Sequence, residues 1–219
     1  NDWAYLHLGV HSLLPEVHNP GKDYDDDGYV TVYEIMRWND EEYDGKYFAP
    51  WTPFDHPVLG KIEIGGDKGM PVAIGERFAE ECEAHFRLLT YIAGLAPQVR
   101  LKDVTAEKQP DGTYRVVALV QNLGFLSTYV TRHSLSINRD FPVVAEIQVE
   151  GGSIVGRTKQ NLGHILGKLA YIRRWGSGAD ESTRRAEWIV RPTGEGQVTA
   201  TVKAWAHKAG EEERTLTLK

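Results

Sequence analysis

Cysteine is nearly absent from this chain. Cys82 is the only one in 219 residues. One cysteine excludes an intramolecular disulfide framework and any cysteine-rich metal site, and leaves the compartment open. Basic charge is also short: 25 Lys plus Arg stand against 31 Asp plus Glu, a net charge of −6. The basic stripe of a general nucleic-acid binder is therefore missing. No run approaches the roughly 20 apolar residues that a membrane helix needs, so no span is expected. His-Glu-x-x-His, Cys-x-x-Cys, the Walker loop, Gly-x-Gly-x-x-Gly and Gly-x-Ser-x-Gly are all missing. No complete catalytic set stands in these residues by themselves. The chain opens Asn1-Asp2-Trp3-Ala4-Tyr5, without Met or a leader pattern. It reads as the inside of a domain, so a fragment of a longer protein is expected.

What is present divides near residue 98. Before it, residues 1–17 read as a loop and then a buried strand with Val10, Leu13, Leu14 and Val17. Residues 18–29 are rich in Gly, Asn and Asp and form loop. Val32, Ile35, Met36 and Trp38 give helical spacing from Thr31 to about Asp40. Pro50, Pro53 and Pro57 predict an irregular surface segment over 44–60. Leu59 to Ile64 alternates like a short strand. Residues 75–95 give the clearest helix, with Phe78, Cys82, Phe86, Leu89 and Ile92 near one face. Cys82 falls on that stripe and is expected to be buried. After Pro97 the period becomes two. Asp111-Gly112 separates alternating runs as a hairpin turn does. Further strands are expected at 142–149, 153–158, 186–191, 197–206 and 213–218. The expectation is an antiparallel β-sandwich over 98–219, in the style of fibronectin type III or immunoglobulin domains.

Several residues carry possible chemistry. His7 and His11 stand at i, i+4, a zinc spacing only if helical, and Gly9 between them argues against that. Glu16 ends an apolar run, Leu13-Leu14-Pro15-Glu16-Val17. A carboxylate there needs a partner or a task, and the residues leave a structural and a functional acid equally open. Asp23-Tyr24-Asp25-Asp26-Asp27-Gly28-Tyr29-Val30-Thr31-Val32-Tyr33-Glu34 fits the calcium loop Asp-x-Asp-x-Asp-Gly-x5-Glu at every defined position. Asp23, Asp25 and Asp27 offer carboxylates, Tyr29 its carbonyl, Thr31 its hydroxyl or a water, and Glu34 both oxygens. His18-Asn19-Pro20-Gly21 precludes an entering helix, so half of an EF-hand is expected, with a structural role. The plain alternative is a solvated acidic loop. Trp175, Trp188 and Trp205 read as packing before they read as a ligand platform. Arg173-Arg174 and Arg184-Arg185 read as flanks of a solvated loop.

Asp2-Trp3-Ala4-Tyr5, then Leu8-Gly9-Val10, then Glu16, resembles the end of the catalytic domain of zinc carboxypeptidases of the carboxypeptidase A type. In that family an Asp-Trp-x-Tyr motif precedes the catalytic Glu by fourteen residues, the separation of Asp2 and Glu16 here. The resemblance extends through Trp51-Thr52-Pro53-Phe54-Asp55-His56-Pro57 and Gly60-Lys61-Ile62-Glu63-Ile64-Gly65-Gly66. It implies an α/β fold with a mixed sheet, truncated here to residues 1–97. It implies Glu16 as general base toward a zinc-bound water, with Asn1 and Leu14 lining the pocket for the substrate's C-terminal side chain. The implied substrate is a peptide or protein C-terminus. The implied zinc ligands, a His-x-x-Glu pair and a later His, would precede this chain, so the chain alone is expected to be inactive. A secreted, periplasmic or cell-surface location is expected. Pro15 beside Glu16 departs from the usual strand. The rivals are a non-catalytic, calcium-stabilised binding module and a pseudo-enzyme. Substrate preference and oligomeric state are not readable.

Overall fold

The computed structural model describes residues 2–16, 18, 20–68, 76–168 and 181–218. It divides into two compact units, Leu14–Thr90 and the rest, so residues to Leu13 group with Tyr91 onward. The expected division at 97 and 98 put those first residues with the segment that follows them.

The larger unit is a sandwich. One sheet has the order β10(Gly210–Leu218)-β9(Val198–Ala206)-β5(Val144–Glu150)-β7(Lys159–Asn161). The other has the order β3(Val99–Lys108)-β4(Tyr114–Asn122)-β8(Thr183–Pro192)-β6(Gly152–Val155). Every pair is antiparallel. Strict alternation builds the core. Val116, Ala118 and Val120 of β4 point in beside Trp188 and Val190 of β8, and Ala200, Val202 and Ala204 of β9 beside Ile147 of β5. Each fully buried Val or Ile stabilises the fold by about 1.5–3 kcal/mol of transfer free energy. The Asp111-Gly112 turn is in place, Asp111 accepting from the Thr113 amide and hydroxyl. The short helix α4(Arg132–Ser136) and the three-residue β7 had no periodic signal.

Two short elements before Leu14 differ from expectation. Asp2–Leu8 is a helix, α1, rather than a loop. Residues 9–16 form no strand, and Leu13 and Leu14 are exposed. Pro15 has no amide to donate to a ladder, and no partner strand lies along the segment among the described residues.

The unit over 14–90 holds α2(Val32–Tyr43), the hairpin β1(Phe48–His56)–β2(Gly60–Asp67) and α3(Glu76–Gly94) up to Thr90. All strand pairs among the described residues are antiparallel, so the expected mixed sheet is not among them. The proline-rich stretch is strand β1. A two-stranded ribbon has only edges, where prolines are tolerated, and its register shifts between Ala49 and Thr52. The core of this unit is small: Trp38, Tyr43 and Tyr47, with Tyr24 against them. The apolar stripe of α3 faces outward, with Phe86 64% and Tyr91 68% exposed. Cys82, expected to be buried on that stripe, is exposed and free.

Candidate functional site

The acidic loop is built by its own backbone. Thr31 caps α2 and Glu34 returns the favour, a capping box. Glu34 thereby has its two oxygens placed. Oε1 accepts from the Tyr24 amide at 2.7 Å, and Oε2 accepts from the Thr31 amide and hydroxyl, each at 2.8 Å. Asp23 accepts from the Asp26 amide at 2.7 Å and the Gly28 amide at 2.9 Å. Asp27 accepts from the Tyr29 amide. Gly28 sits at φ +88°, where a side chain is disfavoured. The result brings one carboxylate oxygen from each of Asp23, Asp25 and Asp27 within 4.8 Å of one another.

The electrostatics follow from the geometry. The Gly28 amide is the chief reason that Asp23 lies below the ordinary carboxylate range. The negative charge of Asp27 is the chief cause raising Asp25. Glu34 is lowered first by the Thr31 amide. Three hard oxygen donors on alternate residues suit calcium or magnesium and not zinc. Tyr29 and Thr31, the expected carbonyl and hydroxyl contributors, lie in the same loop. Among the described residues this triad is the only group of three metal-ligating side chains so close together.

Glu16 lies in irregular chain and its side chain is exposed. Its carbonyl is held by His85 Nε2 at 2.8 Å, while His85 Nδ1 reaches the Glu81 carbonyl at 2.8 Å. Carbonyls only accept, so both contacts are hydrogen bonds only when the ring is an imidazolium. Those two carbonyls, Glu81 first, raise the His85 pKa. Close by in sequence, His18 is buried between Trp38 and Tyr47 and bonds Glu81 Oε1 at 2.8 Å. No spacing in the sequence pointed to His18 or His85 apart from the i, i+4 step between Glu81 and His85. Leu14, expected in a pocket, is 71% exposed. Asn1 lies outside the described residues.

The remaining candidates resolve simply. His7 is in α1 with its ring tilted against that of Trp3, while His11 lies beyond the helix end. Trp188 is buried, its Nε1 donating to the Thr158 carbonyl at 3.0 Å. Trp205 is half-buried under Lys159. Arg184 donates to main-chain carbonyls, and Arg185 pairs with Glu187. Trp175, Arg173 and Arg174 lie outside the described residues.

Residues 98–217, which run from before β3 into β10, match the family described as Domain of unknown function (DUF8731). The chain belongs to this family. The DUF8731 match ends where the sandwich ends and leaves the acidic loop and Glu16 outside it. No curated protein matches the chain.

Proposed function

We propose that this chain is the C-terminal part of a zinc metallocarboxypeptidase. Residues up to 97 form a segment of the catalytic domain, and the DUF8731 sandwich is appended to it. The observation that carries this reading is the apolar surface of residues 14–90. Phe78, Phe86, Leu88 and Leu89 of α3 and Trp51, Phe54 and Ile64 of the hairpin are all exposed. Secondary structure with unpartnered apolar faces is what a segment of a larger domain displays. The residue order Asp2, Trp3, Tyr5, Gly9 and Glu16 supports a carboxypeptidase catalytic domain as that larger domain.

In this reading Glu16 takes a proton from the water that attacks the scissile carbonyl of a C-terminal peptide bond. The carboxylate has no side-chain partner among the described residues. Zinc, when bound by residues preceding this chain, supplies the Lewis acidity. Calcium at Asp23, Asp25, Asp27, Tyr29, Thr31 and Glu34 braces the loop that follows Glu16. A single loop of this kind suits calcium of about 10⁻⁴–10⁻³ M, the level of extracellular modules, and so a secreted, periplasmic or cell-surface protein.

The test is peptidase activity of the protein that includes the sequence preceding Asn1. Release of C-terminal residues is expected, sensitive to chelators and abolished by Glu16→Gln, with the 219-residue chain inert. A longer protein without a His-x-x-Glu and a later His, or activity indifferent to Glu16→Gln, contradicts the proposal. The second reading, a non-catalytic calcium-stabilised module or pseudo-enzyme, draws on one observation: Glu16 sits in irregular backbone beside Pro15. Activity loss without loss of calcium binding separates the two.

A further inference from the structure

A helix leaves its last carbonyls without partners of its own. At the end of α1 these are answered from far along the chain. His133 Nε2 donates to the Leu6 carbonyl at 3.0 Å, Lys208 Nζ to the Leu8 carbonyl at 3.4 Å, and Thr131 Oγ1 to the Gly9 carbonyl at 2.6 Å. The donors come from α4, its cap and the β9–β10 turn, all within the DUF8731 region.

The site is built rather than incidental. Lys208 is oriented by Asp140, Nζ to Oδ1 at 3.1 Å, with the two side chains 16% and 2% exposed. The second oxygen of Asp140 is buried without a hydrogen-bond partner among the described residues, and the ion pair to Lys208 is made through the first. The Thr131 hydroxyl that donates to Gly9 also accepts from the Ser134 amide, which fixes its direction. The Tyr5 ring stacks on His133 at 5.0 Å. A cationic ammonium at the helix C-terminus also favours the macrodipole. Gly9 is the shape requirement. It sits at φ +63°, and a Cβ there would fall 2.3 Å from Ser134 Cβ and 2.4 Å from Ser134 Cα. Ser134 is fully buried and cannot give way.

We propose that the DUF8731 sandwich carries a receptor for the C-terminal turn of a helix that ends in glycine. Thr131, His133 and Lys208 are its donors and Asp140 is the positioning residue behind Lys208. Holding the helix Asp2–Leu8 there is a function of the sandwich. It does not depend on residues 2–16 belonging to a peptidase.

The experiment is amide hydrogen exchange on the full chain, reading the amides of residues 5–9 against those of β4 and β9. In the unchanged protein residues 5–9 are protected. Gly9→Ala alters only the ligand side and is expected to lower that protection about tenfold or more. His133→Phe keeps the ring and removes the donor, and lowers it by a smaller factor. His133→Gln, which keeps an N–H, restores part of it. In every case β4 and β9 keep their protection. Unprotected residues 5–9 in the unchanged protein overturn the proposal. So do variants without effect, or a loss shared equally by β4 and β9.

Discussion

The sandwich and residues 14–90 place their apolar side chains in opposite ways. In the sandwich, alternate residues of β4 and β9 meet across two closed sheets, and Val116, Val120, Ala200 and Val202 have no exposure. In residues 14–90, helix and hairpin are equally regular, yet among the described residues the buried hydrophobic cluster is a knot of aromatic rings around Trp38. Regular secondary structure and a core are therefore separate achievements of a sequence. Alternation supplies both when two sheets face each other. An amphipathic helix supplies only half of an interface and leaves the other half to a partner surface.

The comparison breaks most visibly under core truncation. Ile147→Ala, at a fully buried site in the sandwich, is expected to destabilise that unit by about 2–5 kcal/mol. Phe86→Ala, which removes a larger side chain from exposed α3, is expected to change stability by about 0.5 kcal/mol or less. Thermal unfolding of the two variants reads both values. A cost at Phe86 equal to that at Ile147 would mean that α3 is already packed.

Calcium sharpens the comparison next. A one-site calorimetric isotherm is expected for the full chain and is lost in the double variant Asp25→Ala/Glu34→Gln. Calcium at a hundredfold excess over its Kd stabilises the unit that binds it by about 2.7 kcal/mol. The shift is confined to residues 14–90, and the sandwich melts as before. A calcium shift shared by both units would contradict the local role.

The smallest effect is a pH dependence. The His85 pKa is raised by the Glu81 and Glu16 carbonyls. A raised folded value stabilises the fold below the ordinary His range and loses that contribution as pH rises through the folded value. The ring is solvent-accessible, so the effect is small. Loosening of the residues around Glu16 is expected above neutral pH and is absent in His85→Gln. Amide exchange of Leu14 and Glu16 across pH 6 to 9 checks it (an interval of about this width brackets the ordinary histidine range).

The strands were legible where period two runs long. Tyr114 to Asn122 and Val198 to Ala206 bury every second residue, and Asp111-Gly112 marks the turn between β3 and β4. The helices α2 and α3 were legible from spacing, and the clustering of the Asp23, Asp25 and Asp27 carboxylates from their alternate positions. Helix α1 was not, because seven residues are too few for a period and its end is held by Thr131, His133 and Lys208. Strand β1 was hidden by Pro50 and Pro53, which a two-stranded edge accepts and a central strand does not. The exposure of Cys82 was not legible either. A stripe of apolar residues marks the face that a helix can bury and does not say which surface covers it. The roles of His18 and His85 depend on α3 lying against Glu16 and His18, a contact that no local pattern announces.

The most direct test is amide hydrogen exchange over the whole chain, once alone and once with the sequence that precedes Asn1. Alone, β4, β8 and β9 are expected to exchange last, and α3 and the β1–β2 hairpin early. With the preceding sequence present, α3 and the hairpin are expected to slow to the level of the sandwich. Protection of α3 equal to that of β4 in the 219-residue chain would contradict the claim that residues 14–90 are part of a larger catalytic domain.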